Sequence, residues 1–443
     1  MTEYYGAETK KSLENFPVFS ITVDLKVIYA LAEVKKAAAK ANATLKNIST
    51  EICDAICDAS DEIITGKFDD QFVTSAIQGG AGTSINMNVN EVVANRASEI
   101  LGKEFGYVSD LEHVNFAQST NDTVPTAIKI ASYRLLAELI DELKLLEKSF
   151  SAKGTEFSDV LKIGRTHLQD AVPISLGQEF AAYGACASRG AIRLENLLEE
   201  GILNVNMGGT AIGSAIGSSQ AFITEVVLEL QNGTGLPIMS ADNLIDATQN
   251  LDTFADISGR VKSVFSGLSK IANDLRMMSA GPVGNLREIN LPERQKGSSI
   301  MPGKVNPVMP ELINQVYFQI IGNDATVTEA VSTGQFELNV MGSVLAFNLI
   351  QSLELAKNSV QLFRKFCIDG ITANKERCAE NLEKSFCMVT ALNQYIGYYK
   401  ATEIAKESIK TGKSIRDVTL EKGLLSAEEL DTILDASKMI YPK

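Results

Sequence analysis

The spacing of proline sets the strongest limit on what this chain can fold into. Ten prolines in 443 residues leave two long gaps, Pro17 to Pro125 and Pro310 to Pro442. Proline inside a helix removes a hydrogen bond and clashes with the preceding turn, so such gaps permit long helices. Hydrophobic periodicity then selects helix over strand. Leu251, Phe254, Ile257, Val261, Val264, Leu268, Ile271, Leu275 and Met278 recur at steps of three or four. They form an apolar stripe about eight turns and about 40 Å long. Segments 126–149, 311–332 and 343–369 read the same way. Strand alternation is scarce, and no hairpin dipeptide separates paired strand patterns.

The expected fold is therefore all-α. A helical N-terminal domain (1–119) precedes a central bundle of long helices (120–374). A small C-terminal helical domain (375–443) follows, with helices near 400–411 and 427–436. Broad apolar coverage of such long helices predicts an oligomer.

Composition narrows the partners. The net charge is −14, from 41 basic and 55 acidic residues, which argues against nucleic acid or an anionic membrane surface. No apolar run of 18 residues exists, and the first residues lack a signal-peptide core, so the expectation is a cytoplasmic protein. The six cysteines form no CxxC pair, as expected in a reducing compartment. Cys53 and Cys57 lie one helical turn apart and read as two small core residues rather than half a metal site.

Five polar stretches rich in small residues lie between the helical segments: "QGGAGTSINMNVNE" (78–91), "AQSTNDTVPT" (117–126), "GRTHLQDAVP" (164–173), "MGGTAIGSAIG" (207–217) and "GSSIMPGKVNPVMPE" (297–311). Any one of them could be a helix-end loop with capping residues such as Ser119, Thr120 and Asp122. Five together suit a composite site for a polar anion. The chain has two histidines. His113 has no special company, whereas His167 follows Thr166 and precedes Asp170. There is no P-loop, no GxSxG elbow and no HExxH cluster, and "GGAGTS" is a weak match to a dinucleotide loop. Serine, threonine, asparagine, lysine, histidine and backbone amides remain. Such donors can hold two carboxylates and stabilise a carbanion formed beside one of them, without metal or cofactor.

The motifs resemble the aspartase/fumarase superfamily. "GSSIMPGKVNP" (297–307) looks like its signature, and "GAGTSINMNVNEVVANRA" (80–97), "QSTNDTVPTA" (118–127), "GRTHLQDAVPISLGQEF" (164–180) and "GQFELNVM" (334–341) resemble its other blocks in the family's order. Within it, "INLPERQKGSSIMPGKVNPVMPE" and "IGNDATVT" look more like the ammonia-releasing branch than the class II fumarases. The resemblance implies a homotetramer whose sites are each shared by three subunits, and reversible deamination of L-aspartate to fumarate through an enediolate. It implies Ser298 as the base that removes the Cβ proton. Lys304 and Asn306 would bind the α-carboxylate. Thr83, Ser119, Thr120 and Ser299 would hold the β-carboxylate. Asn121, Thr166 and His167 would hold the amino group, with Glu311 orienting His167, and stretch 297–311 would form a mobile lid. Fumarate hydration, release of fumarate from another amino acid or an N-substituted aspartate, and a non-catalytic scaffold role are the alternatives. The chain departs from the family pattern at Val283, Gly342, Gln394 and the "GSAIGSS" block. The altered block points to a changed amine or side-chain preference.

Overall fold

The structure, a computed structural model, describes residues 2–440. Helices dominate: α1 (Ala7–Asn15), α2 (Leu25–Thr44), α3 (Thr50–Ile64), α4 (Thr83–Ile100), α5 (Thr120–Glu156), α6 (Leu176–Glu199), α7 (Gln220–Thr234), α8 (Leu244–Gln249), α9 (Asp252–Met278), α10 (Val308–Ser332) and α11 (Gly342–Phe366). Five short helices close the chain: α12 (Lys375–Lys384), α13 (Val389–Ile396), α14 (Tyr398–Thr411), α15 (Ile415–Glu421) and α16 (Ala427–Ile433). The four periodic segments lie almost wholly within α5, α9, α10 and α11, and all nine residues of the α9 stripe are buried. The fold is all-α, as the periodicity requires.

The chain forms two compact units. One comprises Met1–Ile140, Ile192–Ser263 and Val316–Lys357; the other comprises Asp141–Ala191, Val264–Gln315 and Asn358–Lys443.

In the first unit, α2 packs on α3, α4 and α7. Its alanines at 30, 32, 37, 38, 39 and 41 are all buried, which lets these neighbours approach closely. The buried Glu91 carboxylate of α4 accepts the N–H groups of Gly6, Glu8 and Thr9 and the Thr9 hydroxyl, at 2.6–3.1 Å. It thereby satisfies the free N–H groups at the start of α1 and complements the helix dipole. Helix α5 tolerates Pro125 because the Asn121 carbonyl, deprived of its helical partner, accepts a hydrogen bond from Asn206 Nδ2 at 3.0 Å.

In the second unit, residues 161–175 correct one sequence expectation. They form an antiparallel hairpin, β1 (Leu161–Thr166) and β2 (Gln169–Ser175), where a polar loop without strand pairing was expected. The two-residue turn is His167-Leu168, with φ of 54° and 61°. Glycine or asparagine normally fills such a turn, so no dipeptide signal marks it. Buried charges tie down β1. Lys162 Nζ lies 2.8 Å from Glu179 and 3.0 Å from Glu288, and Arg165 lies 2.8 Å from Glu288, whose side chain is fully buried. At the C-terminal end of this unit, Leu392, Ala401, Ile404, Ile415, Val418 and Leu430 form their own apolar core.

Candidate functional site

The expected site residues fall into three groups. The first, in the first unit, sits at the N-termini of α4 and α5. Thr83 opens α4 after Gly82, whose φ of 85° suits glycine, and its hydroxyl donates to the Gly80 carbonyl at 2.7 Å. Thr120 opens α5, preceded by Ser119 and followed by Asn121. Asn86 couples the two helix starts: its Nδ2 donates to Thr120 Oγ1 at 3.3 Å, and its Oδ1 accepts the Thr123 hydroxyl at 3.2 Å. Two helix N-termini with hydroxyls beside them are suited to bind a carboxylate. The Asn121 amide is already half committed, because Nδ2 donates to the Ala211 carbonyl at 2.8 Å. That fixes the flip of the amide and leaves Oδ1 as an acceptor, the polarity an ammonium group needs.

The second group is stretch 297–311 in the second unit. Its neck is closed twice, by Gly297 N–H donating to Lys304 O at 3.1 Å and by Asn306 Nδ2 donating to Gly297 O at 2.7 Å. A Cβ on Gly297 would lie 2.1 Å from the Lys304 carbonyl oxygen, so only glycine fits there. Asn306 is thus a staple as well as a candidate ligand, with one N–H still free for a carboxylate. Ser298 Oγ accepts the N–H groups of Ile300 at 3.2 Å and Met301 at 3.1 Å. Donors aimed at a hydroxyl oxygen favour its ionised form. Ser299 and Lys304 are exposed, and among the described residues the Lys304 ammonium makes no ion pair. Glu311 lies in the first turn of α10 and is half-buried.

The third group is the hairpin turn. Thr166 and His167 sit at its exposed tip. Among the described residues, His167 and Glu311 share no hydrogen bond or ion pair, so one chain by itself does not make the expected orienting contact. His113, by contrast, has a structural partner: its Nδ1 accepts the Ser109 N–H at 2.9 Å.

What lies behind the first group carries little signal in the sequence. Asp122 appeared only as one capping residue among several, and Lys35 did not stand out at all. Both are fully buried. Burial pushes the Asp122 carboxyl up to about 6 against the backbone N–H groups that favour its charged form, and pushes the Lys35 ammonium down to about 7. Only a lysine within the apolar run of α2 could have signalled such a charge. The six cysteines are unpaired, with Cys53 buried and Cys57 half-buried on α3.

Each group by itself is a set of donors suited to a small carboxylate: helix N-termini with hydroxyls beside them in the first unit, and a serine oxygen held by two N–H groups with an exposed lysine nearby in the second. The chain matches the lyase family over residues 1–322 and the fumarase C C-terminus family over residues 388–441. It is 49% identical to aspartate ammonia-lyase of Bacillus subtilis over 99% of this chain and 93% of that relative. Among solved structures, a fumarate lyase:delta crystallin from Brucella melitensis superposes with a TM-score of 0.95 at 44% identity, over 100% of this chain and 97% of that one. A class II fumarase from Schistosoma mansoni superposes with a TM-score of 0.96 at 36% identity, over 100% of this chain and 96% of that one. The chain belongs to the aspartase/fumarase superfamily of lyases.

Proposed function

We propose that the protein catalyses the reversible deamination of L-aspartate to fumarate and ammonia. The observation that carries this reading is its near full-length likeness to aspartate ammonia-lyase. The Asn121 amide, whose free Oδ1 can accept from a substrate ammonium, adds a geometric reason.

In the reaction, Ser298 Oγ, ionised against the N–H groups of Ile300 and Met301, takes the Cβ proton. The Cβ–H electron pair moves into the β-carboxylate as an enediolate. Thr83, Ser119, Thr120 and Ser299 stabilise that charge, helped by the α4 and α5 N-termini. Lys304 and Asn306 clamp the α-carboxylate. The enediolate then collapses, the Cα–N bond breaks, and ammonia leaves from the group held by Asn121, Thr166 and His167, with Glu311 orienting His167. The acidic surface repels a dianion, so recognition falls on these placed donors.

The site is completed between subunits of a homotetramer, three chains contributing to each centre. Exposed Ile192, Phe318 and Ile321 on the long helices support burial against another copy. The three sequential segments 1–119, 120–374 and 375–443 act as domains, the last with a core of its own. The protein works in the cytoplasm; among the described residues no helix is long and apolar enough to cross a membrane.

A second reading, fumarate hydration, is supported by the likeness to the class II fumarase and the C-terminal family match. One assay separates the two. Purified protein receives L-aspartate, L-malate and argininosuccinate in turn, and fumarate is followed by its ultraviolet absorbance. Fumarate with stoichiometric ammonia from L-aspartate supports the proposal; turnover of malate alone overturns it.

A further inference from the structure

We propose that the buried residues Asp122 and Lys35 set the positions of the substrate ligands Ser119, Thr120 and Asn121. Both are positioning residues, since neither touches substrate. The inference rests on the reading of those three residues as ligands.

Asp122 joins two backbone segments. Its Oδ1 accepts the Ser119 N–H at 3.0 Å, on the ligand segment itself. Its Oδ2 accepts the Thr210 N–H at 3.0 Å, on the facing 207–217 stretch. That second segment supplies the Ala211 carbonyl that holds Asn121 Nδ2, so Asp122 fixes both the ligand and the backbone that orients it. The strap is tight. Thr210 holds a φ of 59°, and a Cβ on Gly208 would lie 2.6 Å from Ile223 Cγ1. A non-glycine residue persists at such a φ only where its surroundings over-determine it.

Lys35 acts one step earlier along the chain. Its ammonium donates to Asn115 Oδ1 at 2.9 Å and Gln118 Oε1 at 3.1 Å. Asn115 Oδ1 also accepts from Asn86 and Asn90, and Asn86 continues to Thr120. Lys35 therefore pins the turn that leads into Ser119 and, through Asn86, the Thr120 hydroxyl.

Among the described residues the two charges form no direct ion pair. Each is bound instead to neutral groups of the ligand-bearing segments. Two buried charges that do not touch bear their desolvation cost without a direct ion pair to offset it, so their specific bonds are better explained by geometry than by stability.

The test uses the full-length protein and three variants, Asp122→Asn, Lys35→Met and the double variant. Three quantities are measured: melting temperature, kcat and KM for L-aspartate, and amide hydrogen exchange over 115–123 and 207–212. Asp122→Asn keeps the shape, but its Nδ2 cannot accept, so one of the two N–H bonds is lost. Exchange should rise in the segment whose N–H loses its acceptor, and kcat/KM should fall at least 100-fold. Lys35→Met leaves Asp122 uncompensated; the melting temperature should fall, and exchange should rise over 115–123. The double variant removes both charges. Its melting temperature should recover while kcat/KM stays as low as in Asp122→Asn. Recovery of kcat/KM together with melting temperature would reduce the pair to a stability element and overturn the inference. Absence of L-aspartate turnover in the unmodified protein would sink the substrate reading alone. The exchange data still decide in that case: unchanged exchange in both segments of Asp122→Asn refutes the strap, and raised exchange in either segment upholds it.

Discussion

Asn206 Nδ2 donates to the Asn121 carbonyl at 3.0 Å, taking the place of the N–H that Pro125 lacks. The same Nδ2 donates to Thr248 Oγ1 at 2.9 Å, so one buried amide stitches the proline-broken first turns of α5 to α8. Asn206→Leu leaves a buried carbonyl without a partner and should cost about 1–3 kcal/mol. Pro125→Ala restores the helical donor. In the double variant part of that loss should return, measured by denaturant unfolding across the four-member cycle.

Ser298→Ala should abolish fumarate formation while the melting temperature stays within a degree or two, because Ser298 lies in an exposed stretch. Retained turnover would refute its assignment as base. Gly297→Ala tests the same stretch sterically. With a Cβ 2.1 Å from the Lys304 oxygen, the neck cannot close. The expected outcome is a fall of about 100-fold or more in kcat/KM, as small misplacements cause, with little change in unfolding free energy.

The charges under the hairpin should behave differently. Glu288 contacts both Lys162 and Arg165 from a fully buried position. Glu288→Ala strands Arg165 and leaves Lys162 with Glu179 alone; it should destabilise by about 3–5 kcal/mol, seen as a lowered denaturation midpoint. Replacing the whole set by apolar side chains of similar volume should cost far less.

Leu168 at the hairpin tip has a φ of 61° and is 67% exposed, so its side chain contributes little packing to offset the strained backbone. Leu168→Gly should be neutral or stabilising by up to about 1 kcal/mol, whereas Leu168→Val should destabilise by about 1 kcal/mol or more. Thermal unfolding of the two variants checks the order.

Burial lowers the Lys35 ammonium to about 7 and the Lys129 ammonium to about 8. The unfolded chain binds more protons than the native one between these values and the ordinary lysine range. Stability should therefore rise with pH from about 7 to 9, by up to about 1.4 kcal/mol per pH unit for each such lysine. Asp122 acts in a lower window: raised to about 6, it contributes a loss of stability as pH climbs from about 4 to 6, and nothing above that. Lys35→Met should flatten the rise between pH 7 and 9. An unchanged slope in urea titrations across that range would contradict the assignment.

The long helices were legible in the sequence because helix periodicity is local. Each step of three or four along 251–278 is set by neighbours within one turn, and the observed α9 spans 252–278. The candidate site residues stood out by their chemistry, since small hydroxyl and amide residues in loops advertise polar contact wherever they end up. The hairpin was not legible. Its turn lacks the usual dipeptide; His167 and Leu168 are closed off by the pairing of Thr166 with Gln169, and the charges that tie down β1 come from residues as far apart as 162 and 288.

What the sequence determined by itself is the all-helical architecture and an inventory of candidate ligands: Ser298, Lys304 and Asn306 in one stretch, Thr83 and Ser119 to Asn121 in two others. Which donors are free and which are spent was decided only by the tertiary structure. Asn121 could have offered either end of its amide until the Ala211 carbonyl took Nδ2, and Asp122 was one possible cap among several until Thr210 was brought to its second oxygen. The reason is physical. A hydrogen bond depends on distance and angle between groups remote in sequence, and a buried charge takes its cost and its purpose from the low-dielectric surroundings that only the folded chain creates.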